Sequence, residues 1–171
     1  MTDLHYRPAD GYFGDAIPFY SGGAYHVFFL KATRAHVERL RWSHIASRDL
    51  VHWEELPDAI IPGDGDCPDS GGCWTGSVIE KGDAFHIYYT GWRPSASTPQ
   101  TICHAVSGDL VRWTKDERNP ILLPDERWYG KTDWRDPFVF WDPKGQCYLM
   151  LICATTNSGP AAKRGCIGLA K

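Results

Sequence analysis

One segment of this chain is written twice. Ala24-Tyr25-His26-Val27-Phe28-Phe29 matches Ala84-Phe85-His86-Ile87-Tyr88-Tyr89 at an offset of 60 residues. Ala46-Ser47-Arg48-Asp49-Leu50-Val51-His52-Trp53 matches Val106-Ser107-Gly108-Asp109-Leu110-Val111-Arg112-Trp113 at the same offset. Two blocks that agree on one period mark a copied supersecondary unit, whose apolar faces can be buried only against neighbouring copies.

Each unit reads as four short strands. In the first they are Ala16–Tyr20, Tyr25–Lys31 after a Ser21-Gly22-Gly23 turn, Arg41–Ser47, and a short strand near His52-Trp53-Glu54. The second repeats them as Gly76–Glu80, Phe85–Gly91, Thr101–Ser107 and Arg112-Trp113-Thr114. A third unit opens at Asp136-Pro137-Phe138, turns at Asp142-Pro143-Lys144-Gly145, and continues through Cys147–Ala154 and Gly165–Ala170. The composition agrees: 13% aromatic residues with 17 Gly and 12 Pro is the mixture of strand and turn formers that all-β proteins use. Apolar and small residues run nearly unbroken through the inner strands, so each sheet is covered on both faces.

Four-stranded antiparallel sheets stacked face to face are the blades of a β-propeller. The expected units are residues 14–62, 74–124 and 135–171, the last incomplete. In the first two, Ser-x-Asp-Leu-x-x-Trp is the turn into the outermost strand, with the Trp clamping the adjoining blade. Propellers close with roughly four to eight blades. Fewer than three would leave a bare apolar sheet face, so the sequence predicts a longer polypeptide, or blades from another chain, and self-association of the exposed edge.

The mouths of the innermost strands converge on a central channel. They carry Asp15, the Trp74-Thr75 pair, and Arg135-Asp136. Pro137 is expected to bias Asp136 toward extended geometry as its strand begins, and Arg135 to keep it ionised. Paired carboxylates are what glycoside hydrolysis requires, and Trp and Tyr rings offer platforms for sugar faces. Bland alternatives stand beside these: an Asp-Pro turn at Asp136, a turn aspartate at Asp15, and core packing for Trp74.

Other functions find little support. A net charge of −3 gives no basic surface for nucleic acid. No apolar run approaches the roughly 20 residues that span a bilayer, and the first residues show no secretory pattern, so the expectation is a soluble cytoplasmic protein. The six cysteines lack zinc-knuckle spacing and read as free thiols, with Cys67 and Cys73 as the one pair considered for a bridge. His26, His44, His86 and His104 recur with the repeat, which favours structural positions over a metal site. No cofactor motif is present.

Three segments resemble glycoside hydrolase family 32, the invertases, levanases, inulinases and other β-fructosidases. Trp42-Ser43-His44-Ile45-Ala46-Ser47-Arg48-Asp49-Leu50-Val51-His52-Trp53-Glu54-Glu55-Leu56-Pro57 is similar to that family's "WGHA-S-DLVHWE-LP" segment. Trp74-Thr75-Gly76-Ser77 resembles its "FSGS", and Trp134-Arg135-Asp136-Pro137-Phe138-Val139 its "RDP" motif. The resemblance implies a five-bladed propeller, in a clan shared with families 43, 62 and 68, of which this chain covers about the first three blades. It implies a retaining mechanism on a furanoside, with Asp15 as nucleophile and Asp136 as the carboxylate that stabilises the transition state. Arg135, Trp74, Thr75 and Trp42 would be substrate contacts. The family's acid/base is a Glu some tens of residues after the RDP motif; no Glu follows Glu126, so the resemblance places it beyond Lys171. Two departures stand out. The family's "NDPNG" reads Gly14-Asp15-Ala16-Ile17-Pro18, and Leu30 stands where many β-fructosidases have a sugar-binding Gln. An arabinosidase or xylosidase like those of family 43, a carbohydrate-binding propeller without catalysis, and a scaffold that binds no sugar are the competing readings.

Overall fold

The computed structural model describes residues 5–171, the side chains of residues 36–38 excepted. It consists of three antiparallel sheets. The first is ordered β1-β2-β3-β4: β1 (Tyr12–Ser21), β2 (Ala24–Thr33), β3 (His36–Ser47) and β4 (Glu54–Ile60). The second is ordered β5-β6-β7-β8: β5 (Gly72–Lys81), β6 (Ala84–Trp92), β7 (Gln100–Ser107) and β8 (Thr114–Lys115). The third holds β9 (Tyr129–Asp142), β10 (Cys147–Thr156) and β11 (Gly165–Ala170), with one helical turn at Ala161–Lys163 before β11. The chain is all-β, and the sheets are consecutive blades of a propeller.

Most boundaries follow the sequence pattern. The fourth strand does not: β4 starts at Glu54 and runs through Pro57 to Ile60, so His52 and Trp53 belong to the turn before it. Pro57 is tolerated because β4 is the outermost strand, where a missing N–H breaks no inner ladder. The innermost strands begin earlier than expected, at Tyr12 and Tyr129, so Asp15 and Asp136 sit inside strands.

Blades meet through two cores. Between the first and second, Phe28, Trp42 and Ile60 pack with Ile87, Tyr89, Cys103 and Ala105. Between the second and third, Ile102 packs with Trp134, Val139, Met150, Ile152 and Ala154. A buried side chain of this size contributes about 1.5–3 kcal/mol, and each is buried only because another blade covers it. The Ser-x-Asp-Leu-x-x-Trp turn recurs with the repeat: Leu50 and Leu110 both have φ of 63°, and Ser47 and Ser107 each pair with the Asp two residues on. Trp113, which ends the second turn, meets Phe28 of the first blade edge-on at 5.8 Å, the clamp expected of it.

A polar cluster ties the connection between the first two blades to the second. Asp69, 1% exposed, accepts from Lys115 Nζ at 2.5 Å, from the Tyr89 hydroxyl at 2.8 Å and from the Gly63 amide at 3.0 Å. Burial pushes this carboxyl up, but the Lys115, Tyr89 and Gly63 donors outweigh it and leave the group below its ordinary value. The six cysteines are free thiols, Cys67 exposed and Cys73 buried.

Candidate active site

A break in strand pairing builds the site. In β1, Gly14 pairs with Leu30 and Ala16 with Phe29, so Asp15 is the extra residue of a β-bulge. In β5, Trp74 pairs with Thr90 and Gly76 with Tyr89, which leaves Thr75 in the same position. In β9, Arg135 pairs with Cys153 and Phe138 with Leu151, so Asp136 and Pro137 together face Ile152. Three innermost strands thus carry a bulge at corresponding places, and β9 has a second break in its pairing between Ala154 and Thr156 of β10. A bulge bends the strand and re-aims the side chain it carries.

The backbone at both carboxylates is strained. Asp15 has φ of 30° and Asp136 of 57°. Asp136 is therefore left-handed, against the extended geometry expected of a residue before proline. Such conformations cost on the order of 1–3 kcal/mol each and persist only where the surroundings over-determine them. Here Gly76 is one constraint: a Cβ on it would lie 1.9 Å from the Tyr88 carbonyl oxygen, so only glycine lets the second bulge close.

The bulges also meet across blades. Thr75 Oγ1 donates to Asp15 Oδ2. The Asp136 amide donates to Thr90 Oγ1 at 2.7 Å, and that hydroxyl donates to the Thr75 carbonyl at 3.0 Å. Trp74 stacks on Trp92, with centroids 5.0 Å apart and planes at 24°, so one face of its indole is already covered. Asp15 is exposed, while Asp136, Thr75 and Trp74 are half-buried.

Arg135 has nearer partners than Asp136. Its closest partner is Asp133, at 2.5 Å, followed by the Gln100 side-chain oxygen at 3.1 Å; Asp136 Oδ2 lies 3.6 Å from its Nε. The Asp136 carboxyl is accordingly held above its ordinary value. Burial is the largest influence and raises it, Arg135 opposes, and the negative charge of Asp15 raises it further. Arg135 thus favours the ionised form of Asp136, as expected, but burial outweighs it.

Trp42 needs a second correction. It was expected to touch substrate, yet it is 0% exposed. Its indole N–H donates to the Trp74 carbonyl at 2.9 Å, so it holds the second bulge from behind. Further blades can only bury it more. Thr90, also 0% exposed, is a residue that the sequence reading missed. The available signal was a hydroxyl at the end of the apolar run Ile87-Tyr88-Tyr89, where burial obliges it to find a partner.

Four of the histidines form two pairs that recur with the repeat. His26 and His44 share a hydrogen bond at 2.9 Å, and His86 and His104 share the corresponding one at 2.9 Å. Burial, helped by His26, pushes His44 down to about 3, so it stays neutral. Among the described residues, no three His, Cys, Asp or Glu side chains are grouped to hold a metal ion.

Residues 5–164 match the model of the glycosyl hydrolases family 32 N-terminal domain. The chain belongs to glycosyl hydrolase family 32. A fructan 1-exohydrolase of Aegilops speltoides is 33% identical to this family 32 chain over 168 residues, which are 94% of it and 28% of the relative. A vacuolar acid β-fructofuranosidase of a Rosa hybrid cultivar is 34% identical over 82% of the chain and 22% of its own length. Among solved structures, fructan 1-exohydrolase IIa of Cichorium intybus, in complex with 1-kestose, superposes with a TM-score of 0.77 at 27% identity. The match covers 96% of the family 32 chain and 31% of that protein. A β-fructofuranosidase of Bombyx mori, in complex with sucrose, gives 0.75 at 28% identity over 95% and 33%. The chain therefore spans under a third of the length of these relatives.

Proposed function

We propose that the natural protein carrying this chain is a glycosidase that acts on β-fructofuranosides by a retaining double displacement, with Asp15 as nucleophile and Asp136 as the group that stabilises the transition state. The observation that carries this reading is the pair of strained bulges, which place two carboxylates on the innermost strands of the first and third blades. Asp15 Oδ would attack the anomeric carbon, forming a glycosyl ester as the bond to the leaving oxygen breaks. The leaving oxygen takes its proton from a further carboxylic acid, which the reading assigns to another blade. Water, deprotonated by that same group, then releases the sugar. Asp136, half-buried beside Asp15, would accept hydrogen bonds from sugar hydroxyls and balance the positive charge that develops on the ring. Trp74, through what its stack leaves free, and Thr75 would border the sugar.

One observation favours a second furanoside. Leu30, which pairs with Gly14 beside Asp15 and is 5% exposed, offers no hydrogen bond to a sugar. Arabinofuranosides therefore belong in the substrate panel. The deciding experiment compares the natural polypeptide with its Asp15→Ala variant. Loss of hydrolysis with sugar binding retained by calorimetry supports the reading. A wild type that binds sugars but cleaves none between acid and neutral pH makes this a binding module instead.

A further inference from the structure

A bulge releases backbone groups from the strand ladder, and those groups must be paired elsewhere when buried. The bulge in β9 leaves Asp136 and Pro137 opposite a single residue of β10. Proline has no N–H, so the Asp136 amide is the donor that must find a partner. It finds it in another blade, at Thr90 Oγ1 on β6, 2.7 Å away. The same oxygen carries a hydrogen, which goes to the carbonyl of Thr75, the bulged residue of β5, at 3.0 Å. Thr75 in turn gives its own hydroxyl hydrogen to Asp15 Oδ2.

We propose that Thr90 is a positioning residue, whose one buried hydroxyl fixes the backbone of Asp136 against the bulge that holds Asp15. The proposal rests on the assignment of Asp15 and Asp136 as the reacting pair. A hydroxyl is the group that fits, because it accepts and donates at once, and the site requires one of each. Valine would fill the same volume and supply neither. The Asp136 amide would then lose its partner, and the peptide that sets φ at 57° would be free to rotate and carry the carboxylate away from the position that Asp15 faces.

The same seam supplies a control. Ser77 Oγ, on β5, accepts the Val139 amide of β9 at 3.0 Å. This is also a buried hydroxyl holding a third-blade amide, but at Val139, past the bulge that carries Asp136. A residue that merely glues blades would behave like Ser77.

The experiment uses the natural polypeptide with Thr90→Val, Thr90→Ser and Ser77→Ala. Thermal midpoints, kcat and KM on sucrose, and the amide signals of Asp136 and Val139 are compared. Thr90→Val is expected to lower kcat on the order of a hundredfold, the effect of a misplaced reacting group, with KM nearly unchanged. Thr90→Ser should restore kcat to near the wild type. Ser77→Ala should lose midpoint temperature while keeping kcat. In Thr90→Val the Asp136 amide signal should move and the Val139 signal stay. Equal losses of kcat in Thr90→Val and Ser77→Ala at equal losses of midpoint would overturn the proposal, as would an undisturbed kcat in Thr90→Val. If the wild type cleaves no fructoside, the functional reading fails separately and the amide signals decide. An unmoved Asp136 amide in Thr90→Val then sinks the role of Thr90, and a moved one sustains it as the group that sets the Asp136 backbone.

Discussion

Asp15 and Thr75 stand 60 residues apart at the same bulge of two successive blades, and the hydroxyl of Thr75 donates to the carboxylate of Asp15. The repeat therefore supplies a nucleophile in one copy and its holder in the next. Thr75→Val should lower kcat by about a hundred- to a thousandfold, the range seen when one aimed donor is removed from a reacting centre. Thr75→Ser should keep most of the rate. Initial rates of the natural polypeptide on sucrose check both.

Asp136 predicts a pH-dependent stability with a definite sign. Its folded-state value lies above the ordinary one, so the folded protein holds this proton to higher pH than the unfolded chain does. Ionising it therefore opposes folding, and stability falls as pH rises from the ordinary carboxylate range through the folded value. Asp136→Asn keeps the side-chain shape, and asparagine tolerates the left-handed backbone. The variant should melt above the wild type at neutral pH and converge with it below about pH 4, while hydrolysis is lost. Melting curves across pH check the crossing.

Lys115 and Asp69 make the opposite case, an ion pair whose breaking is expensive. Asp69 is 1% exposed and its pair with Lys115 is 2.5 Å long. Lys115→Met leaves the charge with Tyr89, Gly63 and the weak thiol donor Cys73, and should destabilise the protein by about 3 kcal/mol in denaturant titrations. Adding Asp69→Asn to it should recover part of that loss, because the stranded charge disappears.

The third blade presents an open apolar row. Phe138, Leu151 and Leu169 are cross-strand neighbours on one face and are 57%, 37% and 60% exposed, with Ile167 beside them at 66%. The isolated 171-residue chain should associate through this face. Light scattering after size-exclusion chromatography would show it as a mass above that of one chain. Ile167→Lys with Leu169→Glu should return the mass to a monomer; an unchanged mass would place the contact elsewhere.

The repeat made the blades legible because matching backbone positions select matching residues: Leu50 and Leu110 both sit at φ of 63°, and Phe28 and Tyr88 each lie opposite a histidine, His44 and His104, on the next strand. The bulges were not legible. A period-two pattern says which face a residue takes, but not where one residue is skipped, and so Asp15 and Asp136 could be placed near strand starts but not on bulges. Trp42 was misassigned for a related reason. It lies in a motif that surrounds a site, and a motif does not distinguish a residue that touches the sugar from one that holds its neighbour. The nearer partner of Arg135 was not legible either: Asp133 is two residues away on the same side of the strand, and adjacency to Asp136 concealed it.

The hydrogen bonds from Trp42 to Trp74, from Asp136 to Thr90 and from Val139 to Ser77 all run between blades. A blade exchanged whole with a relative would therefore arrive with half of each bond, its donor or acceptor matched to an absent neighbour. A crossover in β4 parts Trp42 from Trp74, and one in β8 parts Thr90 from Asp136 and Ser77 from Val139, so recombination within this fold should succeed when the crossover falls past Val139, in β10, where each seam is inherited with both its sides. The unit that copying produced is the blade, whereas the unit that can be traded without damage is the junction.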